Sequence, residues 1–200
     1  TVGSGNDTIN IEGVDAAFDA DLIIEADSGD TVNFQTTATD IGSGNLDVTA
    51  GTFNGVDTGA ATDFATTGTA TFDISGGASR LFSSFDLSAA SFDSTSSSIR
   101  LDAGAGIAVD DGSGSGDIFF LADIATIDEG GTVTINAGAN GNVMFAPVTV
   151  TQPIEFGQNS NSGRLELSGF ELNSVTAGIL QLGNSAHVGT GPVSYTHLTL

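Results

Sequence analysis

A short unit, a turn followed by alternating apolar and polar residues, recurs along the chain and constrains its fold more than any other feature. A small residue and glycine, or glycine and asparagine, open each copy, and every second residue after them is apolar. Copies begin at Gly5 (GNDTINI), Ser28 (SGDTVNF), Ser43 (SGNLDVT), Ser115 (SGDIFFL), Gly130 (GGTVTINA), Gly141 (GNVMFAP) and Ser162 (SGRLELS). Such alternation between turn residues is typical of β-strands, so the sequence predicts an all-β protein. Only VDAAFDADLIIEA, residues 14–26, has a spacing that a helix could use, and LIIE within it fits a strand equally well.

The spacing of the units indicates which all-β fold to expect. Glycines 5, 29, 44 and 68 are 24, 15 and 24 residues apart, and glycines 44 and 116 are 72 apart, which is three times 24. Periods of about 20–50 residues are typical of solenoids and propellers, and a propeller blade needs about 40 residues with a repeated aromatic signature. No such signature occurs here, so we predict a parallel β-helix (β-solenoid) of about eight to ten coils.

The alternation also predicts which side chains fill the core of the solenoid. Inward positions are the apolar members of each unit, whereas the alternating Thr, Asp, Asn, Glu and Ser residues face water. The predicted inward residues are Ile9, Ile11, Val32, Phe34, Leu46, Val48, Phe72, Ile74, Ile118, Phe120, Val133, Ile135, Val143, Phe145, Ile154, Phe156, Leu165, Leu167, Leu180 and Leu182. Outward acidic residues of stacked coils should then repel one another.

The charge of the chain excludes several kinds of partner. The chain has 25 acidic residues against three arginines and no lysine, for a formal net charge of −22. Binding of nucleic acid needs a basic surface and docking on anionic lipid needs a polybasic patch, so we expect neither. No stretch approaches about 18 unbroken apolar residues, so we expect no membrane insertion. The absence of cysteine excludes disulfides and thiolate metal sites.

The acidity ends near residue 129. Residues 1–129 hold 22 acidic residues and two arginines, a net charge of −20, whereas residues 130–200 hold three acidic residues and one arginine, a net charge of −2. We therefore divide the chain into an acidic β-solenoid region, residues 1–129, and near-neutral β-solenoid repeats, residues 130–186. Both histidines and the only tyrosine lie in residues 187–200, which we expect to be a non-native, disordered tail.

Residues 118–184 resemble the bacterial secreted β-strand-repeat proteins related to filamentous haemagglutinin. The resemblance is strongest in RLELSGFELNSVTAGILQLGNSA, residues 164–186, compared with the family pattern L-x-L-x-x-x-E-L-x-x-I-T-A-G-x-L-x-I-G. The matching positions are Leu165, Leu167, Glu171, Leu172, Val175, Thr176, Ala177, Gly178, Leu180, Leu182 and Gly183. Repeats of this family form the shafts of large surface adhesins. The resemblance therefore implies a right-handed β-helix with a structural or adhesive role, secreted or at the bacterial cell surface.

Four aspartates are candidate calcium ligands. Asp110, Asp111 and Asp117 bracket a glycine–serine loop, DDGSGSGD, which could let them converge on one ion, although the spacing is not that of an EF-hand. Asp7 lies in GSGNDTI, which matches half of the calcium-binding nonapeptide G-G-x-G-x-D-x-U. Nine residues later EGVDAAF does not continue that pattern. Solvated turns are the alternative for all four residues.

Three functions are compatible with these observations. The first is a non-catalytic shaft segment that contacts further repeats of the same longer chain and a host or matrix ligand, with carbohydrate among the candidates. The second is a calcium-dependent carbohydrate- or matrix-binding module. The third is a polysaccharide-active β-helix enzyme that would use Asp110 and Asp111 as an acid/base pair. The chain lacks the Gly-His-Gly and Arg-x-Lys elements of such hydrolases. We therefore predict no catalytic residue and no cofactor other than a calcium ion.

Overall fold

The computed structural model describes residues 5–14, 18–35, 37–60, 62–81, 85–128, 132–149, 151–157 and 164–183. Almost all of its regular structure is β-strand, and this confirms the all-β prediction. The strands are β1 (Thr8–Ile11), β2 (Leu22–Glu25), β3 (Thr31–Phe34), β4 (Thr39–Asp40), β5 (Leu46–Ala50), β6 (Thr52–Gly55), β7 (Phe64–Ala65), β8 (Thr69–Leu81), β9 (Asp86–Ala89), β10 (Ser91–Leu101), β11 (Gly106–Val109), β12 (Asp117–Ile127), β13 (Thr134–Asn136), β14 (Asn142–Ala146), β15 (Ile154–Phe156), β16 (Leu165–Leu167), β17 (Val175–Thr176) and β18 (Ile179–Leu182), and the described helix is α1 (Gly169–Leu172).

These strands stack into three columns of parallel strands. The first column contains β2, β5, the N-terminal parts of β8, β10 and β12, and then β14 and β18. The second contains β1, β3, β6 and the C-terminal parts of β8, β10 and β12. The third contains β4, β7, β9, β11, β13 and β17. All of these pairings are parallel, so the described chain forms a β-solenoid of about five turns.

The length of each coil follows from the register of the first column. Leu22 pairs with Leu46, Leu46 with Ala70 and Ala70 with Phe92, which are steps of 24, 24 and 22 residues. The predicted period is therefore confirmed. The step from Val143 to Leu180 is 37 residues long, because β15, β16 and α1 are inserted between β14 and β18. The predicted number of eight to ten coils is not confirmed. Because this coil is longer than the others, the same length of chain forms fewer coils.

The predicted inward residues lie in the core. Val32, Leu46, Ile118 and Val143 are fully buried. The predicted residues that are only partly buried, Ile9, Ile11, Ile154, Phe156, Leu180 and Leu182, belong to the first strands of their columns, to the inserted segment or to the last strand. These side chains have a neighbouring coil on one side only within the described chain.

A stack of phenylalanine rings runs through the core across successive coils. Its members are Phe34, Phe53, Phe72, Phe92, Phe120 and Phe145, and consecutive ring centroids are 4.5 to 5.6 Å apart. Phe92 joins the stack from another position of its strand, because the register partner of both Phe72 and Phe120 is Ser94. The Ser94 hydroxyl is buried and donates to the Ser79 hydroxyl at 3.2 Å. The core therefore accommodates a polar residue in its aromatic column by hydrogen bonding it to the preceding coil.

A row of small residues lies two positions before the first inward residue of each first-column strand. We call this the corner row; it consists of Ala20, Gly44, Gly68, Ala90, Gly116, Gly141 and Gly178. A Cβ atom added at Gly68 or Gly116 would lie less than 3.0 Å from the carbonyl oxygen of the corner residue one coil before it. The recurrent glycine of the sequence units is therefore explained by close backbone contact between coils.

The corner row also explains why the glycine spacing in the sequence is irregular. Gly44 and Gly68 belong to the corner row, whereas Gly5 and Gly29 precede β1 and β3 in the second column. The 15-residue interval between Gly29 and Gly44 is thus the distance between two different corners of one coil. The 24-residue interval between Gly44 and Gly68 is a step from one corner to its copy in the next coil.

Outward acidic residues of the first column are staggered instead of stacked. Asp47 pairs with Thr71 and Thr71 pairs with Asp93, while Asp73 lies between Thr49 and Thr95. Each of these carboxylates therefore has threonine as its neighbour in the adjoining strand. Since like charges directly opposite one another destabilise a sheet, this arrangement relieves much of the repulsion that the sequence predicted for stacked outward acids.

The inserted segment is held against β12 by two polar contacts. The backbone N–H and the hydroxyl of Thr149 donate to the Asp123 carboxylate at 2.7 and 2.6 Å. Glu171 is buried in a capping box with Ser168 at the start of α1, and it also accepts from the Ile127 N–H at 3.2 Å. Glu171 is the acidic position of the adhesin-like pattern. In this chain its carboxylate ties the insertion to the end of a second-column strand.

The two predicted regions are joined by continuous strand pairing. β12, which lies in the acidic region, pairs with β14 of the near-neutral region, and β11 pairs with β13. The boundary near residue 129 is therefore a change of surface charge within one stack. The predicted tail, residues 187–200, lies outside the described residues.

The corner row makes a direct prediction about stability. We expect Gly116→Ala to lower the free energy of unfolding by about 1–3 kcal/mol, because the new methyl group meets backbone that can move only if two coils separate. Gly169→Ala is the matched control, since nothing lies within 4 Å of a Cβ added at Gly169; it should change stability by less than about 0.5 kcal/mol. Urea unfolding measures both variants. Equal effects would show that the corner does not need glycine.

Candidate functional site

A ladder of polar side chains runs beside the corner row. It consists of the residues that directly follow the corner row in successive coils, Asp21, Asn45, Thr69, Ser91, Asp117 and Asn142, and we call it the corner ladder. Asn45 donates to the Asp21 carboxylate through its backbone N–H at 2.8 Å and through Nδ2 at 3.2 Å. The Thr69 N–H donates to Asn45 Oδ1 at 3.0 Å, and the Ser91 hydroxyl donates to the Thr69 hydroxyl at 3.0 Å. The ladder thus connects four coils in series.

The corner ladder is interrupted between Ser91 and Asp117. Among the described residues no hydrogen bond joins these two side chains, and the ladder resumes where Asn142 Nδ2 donates to Asp117 Oδ1 at 2.8 Å. The step from Phe92 to Ile118 is 26 residues long, because the loop of residues 110–115 precedes β12. Gly112 and Gly114 in this loop have φ of +93° and +80°, a conformation that favours glycine.

A groove of about 440 Å³ lies at this interruption. Two carboxylates, four hydroxyl groups and one amide contribute to its wall. The lining residues are Thr69, Ala90, Ser91, Asp111, Ser113, Ser115, Gly116, Asp117, Asn140 and Gly141. The groove is therefore anionic and rich in hydrogen-bonding groups, and it is the candidate functional site of the described chain.

The structure brings together two of the three loop aspartates that the sequence proposed as calcium ligands. Asp111 and Asp117 both line the groove. Asp110 instead turns its carboxylate into the loop, where Oδ1 accepts from the N–H groups of Gly112 and Gly114, each at 2.8 Å. Within the described ranges no three His, Cys, Asp or Glu side chains form a group that could hold a metal ion. Calcium binding at this loop stays a prediction.

Asp111 is ionised more readily than an ordinary aspartate. Its side chain is exposed, and the hydroxyl and the backbone N–H of Ser113 both form hydrogen bonds that hold the pKa of Asp111 below its usual value. The N–H contact measures 3.0 Å. Since a hydrogen bond to the charged form favours ionisation, the groove keeps this negative charge at neutral pH.

The fourth candidate, Asp7, lies far from the groove at the start of β1. Its backbone N–H donates to Asp30 Oδ1 at 2.8 Å, and the Asp27 N–H donates to Asp30 Oδ2 at 2.9 Å. Asp30 is fully buried, so its carboxylate satisfies the backbone of two turns in adjacent coils. Asp30 was not among the site residues predicted from the sequence. The signal that could have found it is the aspartate directly before the strand in both GNDTINI and SGDTVNF.

A second group of carboxylates lies beside the third column. Asp63 is buried and accepts from the Thr58 hydroxyl at 2.5 Å and from the Asp86 N–H at 2.8 Å. Burial raises the pKa of Asp86, and the charges of Asp63 and Asp57 raise it further. On the first column, burial likewise raises the pKa of Asp93, whose register partner in β12 is Phe119. None of these carboxylates was among the site residues predicted from the sequence.

Comparison with protein-family models, with curated proteins and with solved structures finds no match to this chain. No helix within the described ranges is long and apolar enough to cross a membrane.

The raised pKa values predict how stability depends on pH. A carboxyl whose pKa is higher in the folded than in the unfolded chain stabilises the fold below its ordinary pKa, and this contribution is lost as pH rises through the raised value. For Asp86 and Asp93 the melting temperature should therefore rise as the pH is lowered from 7 towards these values. The exposed Asp19 and Asp111 have lowered pKa values. The stability that they contribute is therefore lost only as the pH falls below their ordinary pKa of 3.8.

Asp93→Asn tests this dependence. The variant should raise the melting temperature at pH 7 and flatten its change between pH 7 and 5. Asp47→Asn is the control, since it makes the same charge change on the same face at an exposed side chain. The melting temperature is measured by calorimetry at a constant 0.15 M salt, which screens the long-range effect of net charge. An equal flattening in both variants would contradict the role given to burial.

Proposed function

We propose that this chain is a shaft segment of a longer secreted or surface-exposed bacterial repeat protein, with a structural or adhesive role and no catalytic activity. The proposal is supported by the packing of inward side chains between successive coils. The large inward side chains of one coil, such as Phe72 and Phe92, pack on the same kind of side chain in the next coil. A stack of this kind grows by adding coils, which is what a shaft requires.

We propose further that the solenoid is right-handed, as the adhesin-like pattern implies. Crossover connections between parallel strands of one sheet are right-handed in about 98 % of known cases, and the described columns contain parallel pairs alone. Because the chain has no cysteine, stacked coils and not disulfides would stabilise it at the proposed location outside the cell.

The surface charge also supports a shaft. Outward carboxylates such as those of Asp47 and Asp73 are separated by threonines, so the net charge of −22 is spread over the faces of the rod. A like-charged surface opposes the lateral association of rods and unintended strand pairing. An acidic shaft can therefore enclose a long apolar core without aggregating.

A calcium-dependent carbohydrate- or matrix-binding module is the second candidate. One observation favours it, which is that Asp111 and Asp117 line the same groove. A pair of carboxylates beside serine hydroxyls is a suitable set of oxygen ligands for Ca²⁺. The two candidates differ in what calcium should do to the stability of the chain.

Thermal melting with CaCl₂, MgCl₂ and NaCl at equal ionic strength separates the two candidates. For a shaft, Ca²⁺ and Mg²⁺ should raise the melting temperature alike, because both act by screening charge. A calcium site whose Kd is one hundredth of the ion concentration would add about 2.7 kcal/mol, which is roughly 5–10 °C for a chain of this size.

Paired variants locate any specific effect. A calcium-specific rise that disappears in D111N/D117N and persists in D47N/D73N would overturn the shaft proposal in favour of the binding module. Equal responses to both ions in the unsubstituted chain, with no difference between the two variants, are the result that the shaft proposal requires.

A further inference from the structure

The chain contains two Asn-Gly sequences, Asn54-Gly55 and Asn140-Gly141. In such a sequence the backbone nitrogen of glycine can attack the side-chain amide carbon of asparagine, because glycine has no side chain to shield it. The attack is rapid only where the asparagine side chain can rotate and the local backbone can open. Asparagine is accordingly one of the thermolabile residues, and the fold decides which copy reacts.

Asn54 is held in place on several sides. It lies within β6, between register partners in β3 and β8. Its Nδ2 donates to Asn33 Oδ1 at 2.9 Å, and Asn33 Nδ2 donates to Asn10 Oδ1 at 2.9 Å. Gly55 is buried, and a Cβ added there would lie 2.6 Å from the ring of Phe85. Reaction at Asn54 therefore requires the local unfolding of a core strand.

Asn140 is in the opposite situation. It is exposed in the turn between β13 and β14, at the wall of the groove. Only its backbone N–H is held among the described residues, by the Ser115 hydroxyl at 3.2 Å. The Gly141 N–H, which must be freed for attack, donates to the Gly138 carbonyl across a long 3.3 Å contact. Gly141 is buried, but it lies in the turn before β14 and not within a strand. The side chain and the attacking nitrogen can therefore meet without the loss of a strand.

We propose that Asn140 is a site of spontaneous deamidation and that the fold protects Asn54. The Gly141 nitrogen bonds to Asn140 Cγ, the bond from Cγ to Nδ2 breaks, and ammonia leaves with the proton of the Gly141 amide. Water then opens the resulting succinimide. Opening at Cγ gives aspartate, and opening at the backbone carbonyl gives isoaspartate. The net change is the uptake of one water molecule and the release of one ammonia molecule.

The modification changes the groove and the corner together. Either product adds a carboxylate to a groove that already contains Asp111 and Asp117. Isoaspartate also lengthens the backbone directly before Gly141, where an added Cβ would lie less than 3.0 Å from the carbonyl oxygens of Ala137 and Gly116. Deamidation therefore loosens the contact between the coils that form the groove.

The composition of the chain gives a clean assay. Trypsin can cut only after Arg80, Arg100 and Arg164 because the chain has no lysine. The fragment 1–80 therefore contains Asn54 and the fragment 101–164 contains Asn140. The full chain is incubated at mildly alkaline pH with and without denaturant, and the mass gain that replaces NH by O is assigned to single residues by fragmentation. Isoaspartate is then separated from aspartate by chromatography.

In the folded chain, Asn140 should convert roughly tenfold faster than Asn54 or more, which is the factor that a modest local opening cost imposes. In denaturant the two rates should become similar. N140Q should remove the gain at position 140 and leave Asn54 unchanged. Equal rates in the folded chain, faster conversion at Asn54, or conversion of Asn140 only in denaturant would each overturn the proposal.

Discussion

The close approach of successive coils at one corner is the constraint on which the rest of this structure depends. Neighbouring parallel strands lie about 4.8 Å apart, and at the corner row the backbones meet with no room for a side chain. Hydrogen bonds join the coils there, as between the Ala90 N–H and the Gly68 carbonyl at 2.8 Å. Once the corners are in register, equivalent positions of successive strands lie above one another, and the corner ladder follows from that alignment.

The groove is a consequence of the same constraint. Coils with steps of 22 to 25 residues keep the corner ladder hydrogen-bonded. At the 26-residue step before β12, no hydrogen bond joins Ser91 to Asp117 within the described chain. Polar side chains that would otherwise satisfy one another then line open space. The acidic surface has a different basis, because Asp47, Asp73 and Asp93 alternate with threonines that separate their charges. The proposed shaft function belongs to the stack as a whole, whereas the groove and the inserted segment are local departures from it.

The alternating pattern predicted where the strands lie but not which column each strand joins. GNDTINI and SGNLDVT are nearly equivalent as strand signals, yet the first forms β1 in the second column and the second forms β5 in the first column. Column membership depends on contacts with residues a full coil away, which an alternating pattern does not encode. The same limit applies to the site: DDGSGSGD predicted a loop, but the direction of the Asp110 carboxylate depends on the loop backbone. The buried roles of Asp30 and Glu171 likewise depend on partners 23 and 44 residues distant.

Disulfide trapping tests the register of the stacked coils, because the chain has no cysteine of its own. Asp47 and Thr71 are register partners in β5 and β8, so cysteines at these positions fall within the Cα separation of about 4.4–6.8 Å that a disulfide needs. Cysteines at positions 47 and 93 are two strands apart, at about twice the strand spacing, and lie beyond that range. We expect the 47/71 pair to oxidise rapidly within a monomer and the 47/93 pair to stay reduced. Rapid bridging of 47/93, or none at 47/71, would contradict the account.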